Sequence, residues 1–243
     1  MKNKRLIGII GAMDTEISLL NSVMENVRTE KIGMQSFYLG SCRGTGTVIS
    51  KAGVGKVNAA ACASAMILRY GAEAVINTGV AGGVGTELEV GDTVIADSAI
   101  EYDLDYGELG DPRGTVFYPD STSDVVIPLD SGLSGAIASA AAGLGIVPKR
   151  GIVGTADRFV SDLSVKADLS GRFGVSVCEM EGAAIAHVCR IYGVPCAIVR
   201  SVSDKADGTA GKDFGAFAEK SAEISSAVIL QFLNDLNETS VQI

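Results

Sequence analysis

The sequence predicts one α/β domain built on a partly mixed sheet. Three observations carry this. Short β-branched runs alternate with Ala-rich stretches of helical spacing, some strand-like runs follow one another with no helix between, and no repeat, low-complexity tract or composition break divides the chain. The 243 residues are expected to form a single domain, 1–243.

Taken in order, residues 6–10 read as a buried strand, and Asp14 as the cap of a helix carrying Ile17, Leu20, Met24 and Val27. Residues 37–39 and 46–50 read as a meander, followed by Gly53-Val-Gly55 and an Ala-rich helix over 57–70. Residues 74–77 form the next predicted strand, ending in a glycine-dense loop over 78–85, and 93–97 another. The stretch 102–123, with two prolines and three glycines, reads as a long functional loop or an interface segment. A helix is expected over 134–144, strands over 149–154, 175–178 and 197–200, and a helix over 182–192. A long amphipathic helix with Phe217, Ile224, Val228 and Phe232 on its apolar stripe closes the chain.

Bulk composition excludes several function classes. Hydrophobic residues are 47% and charged residues 20%, as in a compact soluble protein. A net charge of -9 with no basic cluster argues against a nucleic-acid partner, because phosphate neutralisation needs a basic face. No apolar run is long enough to span a bilayer, and the start of the chain lacks the apolar core of a signal peptide. Five cysteines, an odd number with no C-x-x-C pair, read as reduced buried hydrophobes and point to the cytoplasm.

The chemistry must then come from carboxylates. The one histidine, His187, lies on an Ala-rich helix and is expected to be structural, so Ser-His-Asp and Cys-His mechanisms are disfavoured. Gly53-Val-Gly55-Lys56 is not a P-loop, and 79–85 does not match the dinucleotide fingerprint. Glu16 falls in a first helical turn, where the helix dipole is expected to keep it ionised. Glu179 and Glu181 end the strand 175–178 and would share one face if the strand continued through them. Asp204 follows the strand 197–200. Each acid alone reads equally well as a solvated cap. Three at equivalent strand ends suggest one cleft, where an acid protonates a leaving group, a base activates water and anions stabilise an oxocarbenium-like transition state.

The segments Ile7-Gly-Ile-Ile-Gly-Ala-Met13-Asp-Thr-Glu16, Gly53-Val-Gly-Lys-Val57, Asn77-Thr-Gly-Val-Ala-Gly-Gly83, Glu179-Met-Glu181 and Arg200-Ser-Val-Ser-Asp204 resemble the 5'-methylthioadenosine/S-adenosylhomocysteine nucleosidases, in that family's order across nearly the whole chain. The resemblance implies a three-layer α/β/α sandwich around a twisted, mostly parallel mixed sheet. It also implies a homodimer, no metal or cofactor, water as nucleophile, and release of adenine from a small nucleoside. Carried over, Glu16 would activate water with Arg200 nearby, and Asp204 would give a proton to adenine N7. Glu181 would bind the ribose hydroxyls, supported by Glu179, with Met180 beneath the sugar. Phe159 would pack on the base and the Val160 main chain would read its edge. Met13, Val54, Ala81, Gly82, Ser203, Ala206 and Phe214 would line the pocket.

The sequence departs from the family at Val80, where Ser is frequent, at Tyr102 for His, at Thr155-Ala156-Asp157 for Ser-Gly-Asp, and in the loop 106–114. These changes leave the 5'-substituent open. The alternatives are a purine nucleoside phosphorylase, disfavoured because Asn77 stands where those relatives carry Arg, and a non-catalytic nucleoside-binding protein, disfavoured by the intact acids.

Overall fold

In the computed structural model, residues 5–239 are described. The outer residues 1–4 and 240–243 of the expected domain, including the start of the segment read for a signal peptide, lie outside them.

The elements run β1 (Leu6–Gly11), α1 (Asp14–Ser22), β2 (Met24–Ile32), β3 (Gln35–Cys42), β4 (Thr45–Lys51), α2 (Lys56–Tyr70), β5 (Ala74–Gly83) and β6 (Thr93–Glu101). After a 3₁₀ turn at Gly107–Leu109 come β7 (Val116–Phe117), β8 (Ser123–Asp124), β9 (Ile127–Pro128), α3 (Ser131–Gly143) and β10 (Lys149–Thr155). The chain continues through α4 (Leu163–Phe173), β11 (Val175–Glu179), α5 (Gly182–Tyr192), β12 (Cys196–Asp204) and α6 (Ala210–Thr239).

One mixed sheet holds the order β11-β10-β6-β12-β5-β1-β4-β3-β2, with β9 on β6. Strand β5 is parallel to both β1 and β12. The sheet also curls back on itself: β11 makes two antiparallel rungs to the last residues of β5, Val177 with Gly83 and Cys178 with Gly82. Five strands, β5, β12, β6, β10 and β11, therefore form a closed ring. One apolar core includes buried residues of α2 and α5, and a second those of α1, α3 and α6. This is the expected three-layer arrangement.

Several expected boundaries shift. The first helix stops at Ser22, and Met24 and Val27 belong to the edge strand β2, where pairing with β3 overrides the helical spacing. Asp14 is not the cap; Met13 holds that position, and Asp14 pairs with Lys51 at 2.6 Å. The glycine-dense segment is not a loop up to Gly83, because β5 runs through it with all ten residues buried. Strand β12 likewise extends to Asp204, and β6 to Glu101. Helix α4 had no counterpart in the sequence reading. On α6, Phe217 is exposed, while Ala222, Ser225, Ser226, Ile229, Phe232 and Leu233 are buried.

Candidate active site

The curl of the sheet decides where the acids meet. Strands β5 and β12 run on side by side past the end of β1, which pairs with β5 only over residues 74–77, and β11 arrives at Gly82 from the opposite direction. A cavity of about 290 Å³ opens there, with mostly apolar walls and a few inward carboxylates. Its lining includes Met13, Glu16, Val54, Ala81, Gly82, Phe159, Glu179, Met180, Glu181, Ser203, Asp204 and Phe214, twelve of the residues expected from sequence.

Three expected residues do not line it. Arg200 is fully enclosed behind Glu179, the Val160 side chain packs in an apolar cluster with Val84, Tyr102 and Cys178, which leaves the expected role of its main chain untouched, and Ala206 acts through its backbone. In their place the cavity wall includes Ala12, Cys178 and Val80. Ala12 and Cys178 carried no polar signal in the sequence that marks a pocket.

Glu16 is held by backbone donors. From the third position of α1 it reaches back to the Met13 N–H at 3.0 Å, completing a box-like cap, and Oε2 also accepts from Ala12 N–H at 2.7 Å. Its other oxygen accepts from Val80 N–H at 3.0 Å. Burial pushes the carboxyl above its ordinary value, while Arg200 and the three N–H donors oppose that shift. The expectation that the helix start alone keeps it ionised left burial out of the balance. A Cβ at Gly79 would run into Glu16 Oε1 and crowd the Arg200 guanidinium. Gly79→Ala should therefore lower kcat by at least about tenfold through displacement of Glu16, measurable by steady-state kinetics on a variant whose melting shows it is folded.

Glu179 and Glu181 part company after the strand. Strand β11 ends at Glu179, and Glu181 is the N-cap of α5, so the two do not share a strand face. Glu179 points into the protein. It accepts from the Thr155 hydroxyl, the Arg200 guanidinium, Glu181 N–H at 3.1 Å and Gly182 N–H at 2.8 Å. Arg200 in turn donates to Asn77 Oδ1, and Asn77 donates to Ile10 carbonyl at 2.9 Å. Glu181 has one oxygen fixed, Oε1 accepting from Gly55 N–H at 2.8 Å. Burial and the neighbouring Glu179 push its carboxyl up to about 8.

Asp204 closes the opposite wall. Its Oδ1 accepts from Ala206 N–H at 2.9 Å and its Oδ2 from the Ser203 hydroxyl at 2.9 Å. Burial raises its carboxyl above the ordinary range, with those two donors pulling the other way. Phe159 and Phe214 meet edge-on at 5.7 Å between ring centres at the cavity, an aromatic pair suited to a flat base.

Four acids, Glu16, Glu179, Glu181 and Asp204, thus lie at one sheet edge, and the one buried cation among them is Arg200. Among the described residues no group of three or more His, Cys, Asp or Glu is disposed to hold a metal ion, and no helix is long and apolar enough to cross a membrane.

A curled mixed sheet that brings carboxylates and an aromatic pair to one largely apolar cavity defines a small-molecule site. The chain belongs to the phosphorylase superfamily, whose family model matches residues 6–234. An aminodeoxyfutalosine nucleosidase of Campylobacter jejuni is 36% identical over 230 residues, covering 95% of this chain and 99% of that protein. A 5'-methylthioadenosine/S-adenosylhomocysteine nucleosidase of Halalkalibacterium halodurans is 38% identical over 236 residues, covering 95% and 98%. Among solved structures, the 5'-methylthioadenosine/S-adenosylhomocysteine nucleosidase of Neisseria meningitidis in complex with methylthio-immucillin-A superposes with a TM-score of 0.91 at 36% identity, covering 96% of this chain and all of that one.

Proposed function

We propose that this protein is a nucleosidase that hydrolyses the N-glycosidic bond of a 5'-substituted adenine nucleoside and releases adenine. The relatives, nucleosidases over nearly their whole length, support the reaction class. The observation that carries hydrolysis over phosphorolysis is Glu16, buried at the sheet edge with both oxygens already held by N–H donors. A carboxylate there repels phosphate. The start of α2, another natural anion site, has its Gly55 and Lys56 N–H groups taken by Glu181 and Asp157.

In this reading the base packs against Phe159, which Phe214 buttresses edge-on, and Asp204 delivers a proton to N7. The C1'–N9 bond breaks with its electron pair going to the base, leaving positive charge on the sugar. The carboxylates stabilise that charge. Glu16 takes a proton from water as its oxygen bonds to C1', and Glu181 holds the ribose hydroxyls through its free oxygen. Burial around Asp204 suits the donor, because it raises the carboxyl above its ordinary value and so favours the form that carries the proton.

Adenine release in phosphate-free buffer tests the reaction class. We expect turnover at an undiminished rate, and an absolute requirement for phosphate would establish the phosphorylase instead. The 5'-substituent divides the named relatives, and kcat/KM across methylthioadenosine, adenosylhomocysteine and an aminofutalosine nucleoside would assign it; preference for methylthioadenosine would place the enzyme in methionine salvage. We also propose a cytoplasmic homodimer. Five free buried cysteines support the compartment, and exposed Val57, Leu109 and Phe117 support association.

A further inference from the structure

The Gly55 N–H that fixes Glu181 belongs to a turn that needs holding. Gly55 has φ +99°, a conformation side chains rarely adopt, and a Cβ on it would press against Asp157 Oδ1 at 2.9 Å. The next residue, Lys56, is tied at both ends. Its N–H donates to Asp157 Oδ1 at 2.8 Å, and its ammonium donates to Asp103 Oδ1 at 2.6 Å and Glu101 Oε2 at 3.3 Å. The loop closes on itself because Asp157 N–H donates to Asp103 Oδ2 at 3.2 Å. Glu101 is further engaged by His187 Nδ1 at 2.8 Å, which brings α5, the helix begun by Glu181, into the same network.

We propose that Lys56, with Asp103 and Asp157, is a positioning clamp for Glu181, setting how tightly the enzyme distinguishes a ribose from a deoxyribose. None of the three lines the cavity, so each acts through the Gly55 N–H. Three elements far apart in sequence, the ends of β6 and β10 and the start of α2, are lashed together by the side chains of Lys56, Asp103 and Asp157. That arrangement holds the Glu181 carboxylate in one pose before substrate arrives, which is what binding a pair of hydroxyls requires. The proposal rests on Glu181 being the ribose-binding acid.

The test compares kcat/KM for methylthioadenosine and for its 2'-deoxy and 3'-deoxy analogues in wild type, Lys56→Met, Asp157→Ala and Glu181→Gln. We expect Lys56→Met and Asp157→Ala each to lose about tenfold on the ribonucleoside, the size of one lost hydrogen bond. The loss should be at least threefold smaller on the analogue lacking the hydroxyl that Glu181 holds. Equal losses on all three substrates in Asp157→Ala would overturn the clamp and leave a general structural role. Asp157 is exposed, so its variant should fold even if Lys56→Met, which strips a cation from the buried Glu101, does not. Glu181→Gln separates the two readings. If it shows no hydroxyl-selective loss, the ribose assignment fails; if it does and the clamp variants do not, the clamp alone fails.

Discussion

Asp204→Asn should abolish most turnover, lowering kcat by about 10²–10⁴-fold, the usual contribution of a positioned general acid, while adenine-nucleoside binding stays measurable. The substitution keeps the shape and the acceptor for Ala206 N–H, and removes the proton that the proposed mechanism delivers to N7. Adenine departs poorly as an anion, so protonation assists the cleavage of the glycosidic bond directly. The pH profile provides a second reading. Burial raises the Asp204 carboxyl, so the protonated donor persists above its ordinary pKa and is lost as pH climbs through the raised value. The wild-type rate should fall along that alkaline limb, and the residual rate of the Asn variant should not follow it. Isothermal titration with a non-hydrolysable analogue checks binding, and an unchanged kcat would remove Asp204 from the chemistry.

Glu16→Gln is the second large effect. Its carboxylate is gripped by Ala12, Met13 and Val80 N–H groups, and an amide must turn its NH₂ toward one of those donors. The variant thus loses the base and misplaces what remains of it. We expect a fall in kcat of about 10²–10⁴-fold with KM changed far less, since water, not the nucleoside, is the group it handles. Single-turnover adenine release separates this from slow product departure. The thermal midpoint should fall modestly, because the amide leaves a buried N–H donor unsatisfied, while Arg200 keeps its bonds to Glu179 and Asn77. A rate within threefold of wild type would assign water activation elsewhere.

Much of this site was legible in the residues, and the reasons are local. Glu16 sits on a turn that its own sequence neighbours dictate, and the segment 182–192 reads as a helix because its small and apolar residues keep helical spacing until Gly193 ends it. What escaped was set by distant partners. Nothing near Gly79 announces that the chain stays extended there; β5 persists because β12 pairs with it as far as Gly82. Arg200 looks like a pocket residue in sequence, yet Asn77 and Glu179, one from β5 and one from β11, draw it behind the wall. Helix α4 was missed because Ser164, Lys166, Asp168, Ser170, Gly171 and Arg172 leave it only the narrow stripe of Val165, Leu169 and Phe173, of which Leu169 alone is buried. Tertiary pairing, more than intrinsic preference, settled these cases.

The ring formed by β5, β12, β6, β10 and β11 has a consequence for how the enzyme comes into being. Strand β5 leaves synthesis early, but its partner β12 lies some 120 residues later and carries both Arg200 and Asp204. Until that strand arrives, β5 and β6 are edges with open backbone groups, and the closing rungs of β11 lack their lateral support. Such late, long-range pairing makes for slow folding and leaves the nascent chain exposed to misassociation. Competence is acquired last: a growing chain passes through a long interval in which most of the sheet can exist and no reaction centre can.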